Sequence, residues 1–190
     1  MIIGLTGTPG TGKTTIARFL EEKDVRIVYI KELAESHDFI ESYDETRKSS
    51  IIDVDAVDKY LNSSFSSDEQ VIIESHLAHL LSIVDQVMVL RCHPQTLRNR
   101  LLKRNWTWQK IRENLEAEML DVILCEAVDE HGIKKVSEID TTLLPVEEIA
   151  GDVYQKLLGK ETKYAVKPGS YDWSELLFDS SIMEEDLDGT

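Results

Sequence analysis

The chain has 190 residues, a size for one domain with a sizeable core, and its 42% hydrophobic and 30% charged residues read as folded rather than disordered. A net charge of −15 argues against broad, nonspecific nucleic-acid binding, which needs lysine and arginine against phosphates. Two cysteines, Cys92 and Cys125, are too few for a disulfide framework or a cysteine-rich zinc site, and no window approaches the ~18 apolar residues of a membrane span, so a reducing cytoplasm is the expected setting.

Met1 to Gly7 has no basic leader and is too short for a signal peptide; Ile2 to Thr6 predicts a buried strand. Lys13 to Lys23 places Ile16, Phe19 and Leu20 on one helical face. Val25 to Ile30, β-branched and aromatic, predicts a second strand. Lys31 to about Leu61 is polar with short apolar pieces and predicts a small helical excursion. Glu69 to Glu74 and Gln86 to Arg91 predict the third and fourth strands. Pro94 opens a helix to about Lys103, as proline does at a first helical position, and Thr107 to about Glu130 predicts one long helix. Val136 to Asp140 predicts a short fifth strand, and Pro145 to Leu158 a helix stopped by Gly159. Such alternation predicts an α/β fold: a five-stranded parallel sheet with helices on both faces. The last stretch differs. After the turn Lys167-Pro168-Gly169-Ser170, acids interleave with Tyr171, Trp173, Leu176, Leu177 and Phe178, which reads as a tail, partly docked or disordered, rather than a second domain.

Charge is unevenly spread. Residues 169–190 carry seven acids and no base, whereas Arg91 to Arg112 carries seven bases and no acid. An acidic protein with one basic stretch suggests a local anionic ligand. Opposite fields would draw the tail toward that stretch, where it would compete with phosphate-rich ligands; the plainer reading is a solvating appendage.

Gly7-Thr8-Pro9-Gly10-Thr11-Gly12-Lys13-Thr14 matches G-x-x-x-x-G-K-[ST] and lies between a strand and a helix. Glycines let backbone N–H groups turn inward around phosphate oxygens, and the helix start adds its positive end. Lys13 would reach the β- and γ-phosphates, Thr14 would place a hydroxyl on Mg²⁺, and Thr15 would contact a more distal oxygen.

Glu74-Ser75-His76 closes the third strand, and the carboxyl ends of parallel strands face the ligand crevice. Glu74 could hold a water on Mg²⁺ or orient an attacking group; His76 could position a water or polarise a phosphoryl oxygen. The alternative is a helix start capped by Glu74 or Ser75. His79 reads as structural. Asp53 and Asp55 could bind a base edge or ribose, or contact Mg²⁺ through water, but at least one reads better as a cap for the helix beginning near Ala56. Arg47 is the plainest cation there for an acceptor phosphate, against a solvated side chain. Phosphoryl transfer needs positive charge and exclusion of water. Arg104 and Asn105-Trp106-Thr107-Trp108 sit between two helices where a short lid would hinge, and Trp106 and Trp108 could cover a base. Arg98, Arg100, Lys103 and Lys110 read mostly as a solvated face, although spacing alone does not separate Arg100 from Arg104.

Taken in order, these segments resemble the atypical adenylate kinases of archaea and eukaryotic nuclei. The resemblance is carried by Leu5 to Thr15, by Tyr43-Asp44-Glu45 with Ile51 to Asp55, by Ile72-Ile73-Glu74-Ser75-His76, and by Val89-Leu90-Arg91 with Arg100, Lys103-Arg104 and Asn114 to Glu118. It covers residues 1–158 and leaves 159–190 as an acidic tail. It implies a P-loop NTP hydrolase fold of nucleoside monophosphate kinase type, transfer of the ATP γ-phosphate to AMP or another monophosphate, and ATP hydrolysis. By position, Gly10, Gly12, Lys13, Thr14, Thr15 and Arg104 would bind ATP, residues 30–53 the monophosphate, and 103–113 would form the lid. It further implies a part in small-ribosomal-subunit maturation, with transient contact to a ribosomal protein of the S-eleven family and through it ribosomal RNA. Two rivals stand beside this: an ATP-driven assembly switch with incidental kinase activity, and a small-metabolite kinase.

Overall fold

A computed structural model describes residues 1–45, 47, 49–66 and 69–185. Its centre is β1 (Ile2–Thr6), a five-residue strand buried along its whole length, as a strand covered on both faces must be. The chain then runs through α1 (Lys13–Glu21), β2 (Ile27–Tyr29), α2 (Ile30–Ser36), β3 (Ile40–Asp44), β4 (Ser49–Ile52) and α3 (Val54–Ser64). β5 (Val71–Glu74), β6 (Gln86–Arg91), α4 (Pro94–Leu102), α5 (Trp108–Met119), α6 (Val122–His131), β7 (Val136–Asp140) and α7 (Val146–Leu157) follow, with a short α8 (Ser180–Met183) near the end. Five strands form one parallel sheet in the order β2-β5-β1-β6-β7. The strand order reverses beside β1, so the crevice at its carboxyl end is where such a sheet takes a ligand.

Alternate residues of each strand feed two cores. Ile2, Val71, Ile73, Val87 and Val89 pack with Val57 and Leu61 of α3 and with Leu124 and Ala127 of α6. Ile3, Leu5, Ile72, Met88 and Leu90 pack with Ile16, Ala17 and Leu20 of α1 and with Ile149, Val153 and Leu157 of α7. The α/β P-loop fold expected from the sequence is the fold observed. No described helix is long and apolar enough to cross a membrane.

Two elements differ from expectation. The excursion between the second and third sheet strands is not only helical: β3 and β4 pair as an antiparallel hairpin, with Tyr43 opposite Ser50 and Ser42 opposite Ile51. Its strands are exposed or half-buried, so no apolar alternation announces them. The long helix predicted over 107–130 breaks at Asp121, whose φ of 54° is left-handed. The Asp121 carboxylate receives a hydrogen bond from Arg91, a tertiary contact that offsets the cost of that conformation.

A third apolar cluster joins α4 and α5 to the C-terminal segment. Leu97 and Leu101 meet Ile111, Leu115 and Met119, and Trp173, Leu176, Leu177 and Ile182 pack against them. The chain is led there in steps. The buried Asp152 accepts the N–H groups of Lys163, Tyr164 and Ala165 at 2.6–2.9 Å. Val166 pairs antiparallel with Glu138, covering the β7 edge. Glu138 then accepts the N–H groups of Ser170 (2.6 Å) and Tyr171 (3.3 Å). Residues 163–183 are therefore docked. Trp173 is half-buried over Arg91, whereas Phe178 is 91% exposed. Trp173→Ala should cost about 2 kcal/mol of unfolding free energy in a denaturant titration, below the range for fully buried tryptophan, and Phe178→Ala less than about 0.5. Equal effects would mean that the segment does not dock.

Candidate active site

The loop between β1 and α1 is shaped by its glycines. Gly7 has a φ of 134°, and a Cβ there would lie 2.3 Å from the Leu90 carbonyl oxygen. Gly10, at φ 102°, leaves 2.7 Å to Leu97 Cδ1, so α4 packs directly on the loop. Gly12, also at positive φ, is the N-cap of α1.

Lys13 is buried, and its Nζ donates to the carbonyls of Gly7 (2.7 Å) and Thr8 (3.2 Å). Burial pushes its pKa down to about 8; Glu74 and Glu118 pull it up, and Arg104 down. Thr14 and Thr15 lie exposed on the first turn of α1. Thr14 Oγ1 donates to Glu74 Oε1 at 3.1 Å, so the β5 carboxylate and the loop hydroxyl share one place. Burial raises the Glu74 pKa, against the Lys13 charge and the Thr14 hydrogen bond. Ser75, rather than Glu74, starts the turn that follows, its Oγ accepting the Leu77 N–H. His76 is open to solvent, yet enough protein surrounds its ring for desolvation to push its pKa down to about 4, helped by the charges of Lys13, His79 and Lys110. The ring is neutral at pH 7. His79 is structural: buried, with Nδ1 3.1 Å from Thr6 Oγ1 and Nε2 3.0 Å from Glu126.

The basic stretch divides into distinct roles. Arg104 is exposed at the end of α4, 5.3 Å over the Trp106 ring and near enough to Lys13 to repel its charge. Arg100 points elsewhere: its guanidinium donates to the Thr141 carbonyl (2.8 Å) and hydroxyl (3.3 Å), with the Gly10 carbonyl at 3.5 Å. Arg98 is 4% exposed rather than solvated, stacked at 5.3 Å on Trp108. Trp106 and Trp108 line the apolar cluster of α4 and α5, which occupies the rings expected to cover a base.

On the acceptor side, Asp53 is the N-cap of α3 and accepts the Ala56 N–H at 2.9 Å, while Asp55 is exposed in the first turn. Arg47, at the hairpin tip, binds Asp44 (3.1 Å) and Glu113 of α5 (3.1 Å), and Lys110 Nζ donates to the Arg47 carbonyl at 2.6 Å. The hairpin and α5 thus touch through their side chains.

Sequence reasoning missed the residues that hold the loop from behind. Thr8 Oγ1 donates to the buried Glu118, which also accepts Arg91 Nε (3.0 Å) and the Cys92 N–H (2.9 Å). Thr141 Oγ1 lies 2.8 Å from the Thr11 carbonyl. Both partners are remote in sequence, and the sole local signal was a charge, Arg91, ending an apolar strand.

The AAA domain family matches residues 3–121. A protein of Archaeoglobus fulgidus named "Putative adenylate kinase" is 46% identical over 178 residues, spanning 93% of this chain and 94% of its own. Proteins of the same name from Methanosarcina barkeri and Methanocaldococcus jannaschii are 42% and 35% identical, and the alignments cover 100% and 99% of their lengths. At these identities and coverages the chain belongs to the adenylate-kinase-like family of P-loop proteins.

Proposed function

We propose that the chain transfers the γ-phosphoryl group of MgATP to a nucleoside monophosphate, AMP foremost, and hydrolyses ATP when water takes the acceptor's place. The observation that carries this reading is the placement of the hairpin. Its tip reaches α5, where Arg47 binds Glu113 and its carbonyl accepts Lys110, and in this reading hairpin and helix together wall an acceptor subsite beyond Glu74. A plain ATPase needs no such compartment.

In this reading Lys13 leaves the Gly7 and Thr8 carbonyls for the β- and γ-phosphates, and the loop N–H groups, with Gly10 and Gly12, follow the phosphate chain. Thr15 contacts the α-phosphate, and Arg104 swings from Trp106 to the nucleotide. Thr14 Oγ1 and Glu74 Oε1, 3.1 Å apart, are the oxygens that would hold Mg²⁺, the hydroxyl directly and the carboxylate through a water. When bound, the ion would neutralise charge on the β- and γ-oxygens. Neutral His76 accepts a hydrogen bond from an incoming water or orients the acceptor. Arg47 exchanges Glu113 for the acceptor phosphate, which an exposed, solvent-screened pair allows at little cost. Asp53 and Asp55 face the acceptor from the start of α3. Residues 1–158 form the kinase, with the acceptor segment at 30–53 and the lid at 103–113, and 159–190 the acidic tail. The free cysteines fit a reducing cytoplasm. The role in small-subunit maturation, with an S-eleven ribosomal protein and ribosomal RNA, rests on the motif resemblance alone.

A coupled ADP-formation assay decides between the readings. Turnover should rise at least about tenfold on adding AMP, whereas AMP-independent turnover would favour the assembly switch. Lys13→Ala should lower both activities by about 10²-fold or more without unfolding the chain. Lys13 is protonated below its pKa of about 8 and loses its charge as pH rises. The wild-type kcat/KM for ATP should therefore fall above pH 8, and a flat profile to about pH 9.5 would show that Lys13 keeps its charge there despite burial. His76→Ala should reduce hydrolysis by about 10²-fold while the Kd for ATP changes less than about threefold. The reverse pattern would make His76 a binding residue.

A further inference from the structure

We propose that Glu118 is a positioning residue for the phosphate loop: it fixes Thr8, and through it the helix after the lid sets how tightly ATP is held. The inference rests on the nucleotide-binding reading above and adds a residue to it. Glu118 is 2% exposed, on the face of α5 turned toward the loop. One carboxylate oxygen accepts the Thr8 hydroxyl; the other accepts Arg91 Nε and the Cys92 N–H.

Thr8 is the residue on which the loop converges. Its carbonyl accepts the Thr11 hydroxyl (2.9 Å), the Thr11 N–H (3.2 Å) and Lys13 Nζ (3.2 Å). Holding the Thr8 side chain therefore holds the turn that aims the following N–H groups, and the resting place of Lys13. The other limb is held separately, by Arg100 and Thr141 on Gly10 and Thr11. Only the Thr8 limb is held by the helix that begins just after the lid hinge.

Packing alone does not ask for the Thr8 contact. Arg91 already has Glu138 at 2.8 Å, Asp121, and the Glu118 carbonyl at 3.1 Å. The oxygen aimed at Thr8 is free of that duty, and both groups are shut from water, where a charged hydrogen bond is strongest. A loop already in the receiving shape binds without an ordering cost, so losing the contact should appear in affinity.

The test uses the full chain. Thr8→Val removes only the hydroxyl, Thr8→Ser keeps it, and Glu118→Gln keeps an oxygen for Arg91 while removing the charge. ATP binding with Mg²⁺ is measured by calorimetry, KM and kcat by ADP formation, and folding by thermal melting. Thr8→Val should raise the Kd and KM for ATP about tenfold and Glu118→Gln, whose amide can still donate a neutral bond to Thr8 Oγ1, about threefold, with kcat within about threefold of wild type. Thr8→Ser should stay within about twofold, and the double variant Thr8→Val/Glu118→Gln should be no weaker than Thr8→Val alone, since without the hydroxyl the change at Glu118 has nothing further to lose at Thr8. Wild-type affinity in folded Thr8→Val would overturn the inference, leaving Glu118 as a partner of Arg91 only. A wild-type chain that binds no ATP would overturn the nucleotide-binding reading itself, and this inference with it; variant-to-wild-type ratios near one overturn this inference alone.

Discussion

The guanidinium of Arg91 is the hub of the molecule. It ends the apolar strand β6 and is buried among Glu118, Asp121 and Glu138, with Trp173 4.9 Å above it. Burial opposes its charge, but the surrounding carboxylates hold it charged. Burial likewise raises the Glu138 carboxyl, against the Ser170 N–H and Arg91. Such a cluster adds little net stability over an apolar one of the same volume, because desolvation offsets most of the attraction. Removing one partner, however, leaves a buried charge uncompensated, at about 3–5 kcal/mol. Its value lies in arrangement. Each partner brings an element with it: β7 through Glu138, α5 through Glu118, the break before α6 through Asp121, and the C-terminal segment through Trp173 and the two N–H groups on Glu138.

That arrangement lets a strongly acidic chain present a site for anions. At physiological ionic strength charges are screened over about 8 Å, so the net −15 matters less at the loop than the few groups within that distance. Lys13 is desolvated and rests on two carbonyls rather than on a carboxylate. Glu74 and Glu118 act on it from a distance, and an arriving phosphate would supply an anion in direct contact. Across the crevice, Arg47 and Lys110 tie the hairpin to α5 through exposed contacts that are weak by nature. The rigid part of the site is thus behind the loop, and the part free to rearrange is in front.

What was legible in the sequence was whatever is local. The glycines and Lys13 mark the loop because turn, strand and helix adjoin there, and Glu74 marks a strand end because four residues of Val71 to Glu74 suffice to say so. The hairpin was missed because Ser49, Ser50, Glu41 and Ser42 bury neither face. The break at Asp121 was missed because Leu115, Met119, Val122 and Ile123 continue a helical apolar pattern straight through it, whereas the contact that supports the left-handed turn comes from Arg91, 30 residues away. Arg98 and Arg100 read as a solvated face because partners of each are remote in sequence: the Glu184 carbonyl for one, Thr141 and the Gly10 carbonyl for the other. Buried charge is a long-range property, and a single chain read along its length does not show it.

The C-terminal segment makes the same point in reverse. Seven acids suggested attraction to the basic stretch, yet two of them serve their own turns: Asp172 accepts the Ser174 N–H at 3.0 Å, and Asp179 the Ser181 N–H at 2.9 Å. Docking falls instead to Trp173, Leu176, Leu177 and Ile182, whose apolar surface is driven onto α4 and α5 whatever the salt. In docking, the segment lays an aromatic ring over Arg91 and two N–H groups on Glu138, and so completes the shell that keeps water from the cluster. Glu118 meets Thr8 inside that shell. The C-terminal segment therefore packs on the same Arg91 guanidinium that Glu118 holds while accepting the Thr8 hydroxyl, so the far end of the chain and the phosphate loop share one buried cation.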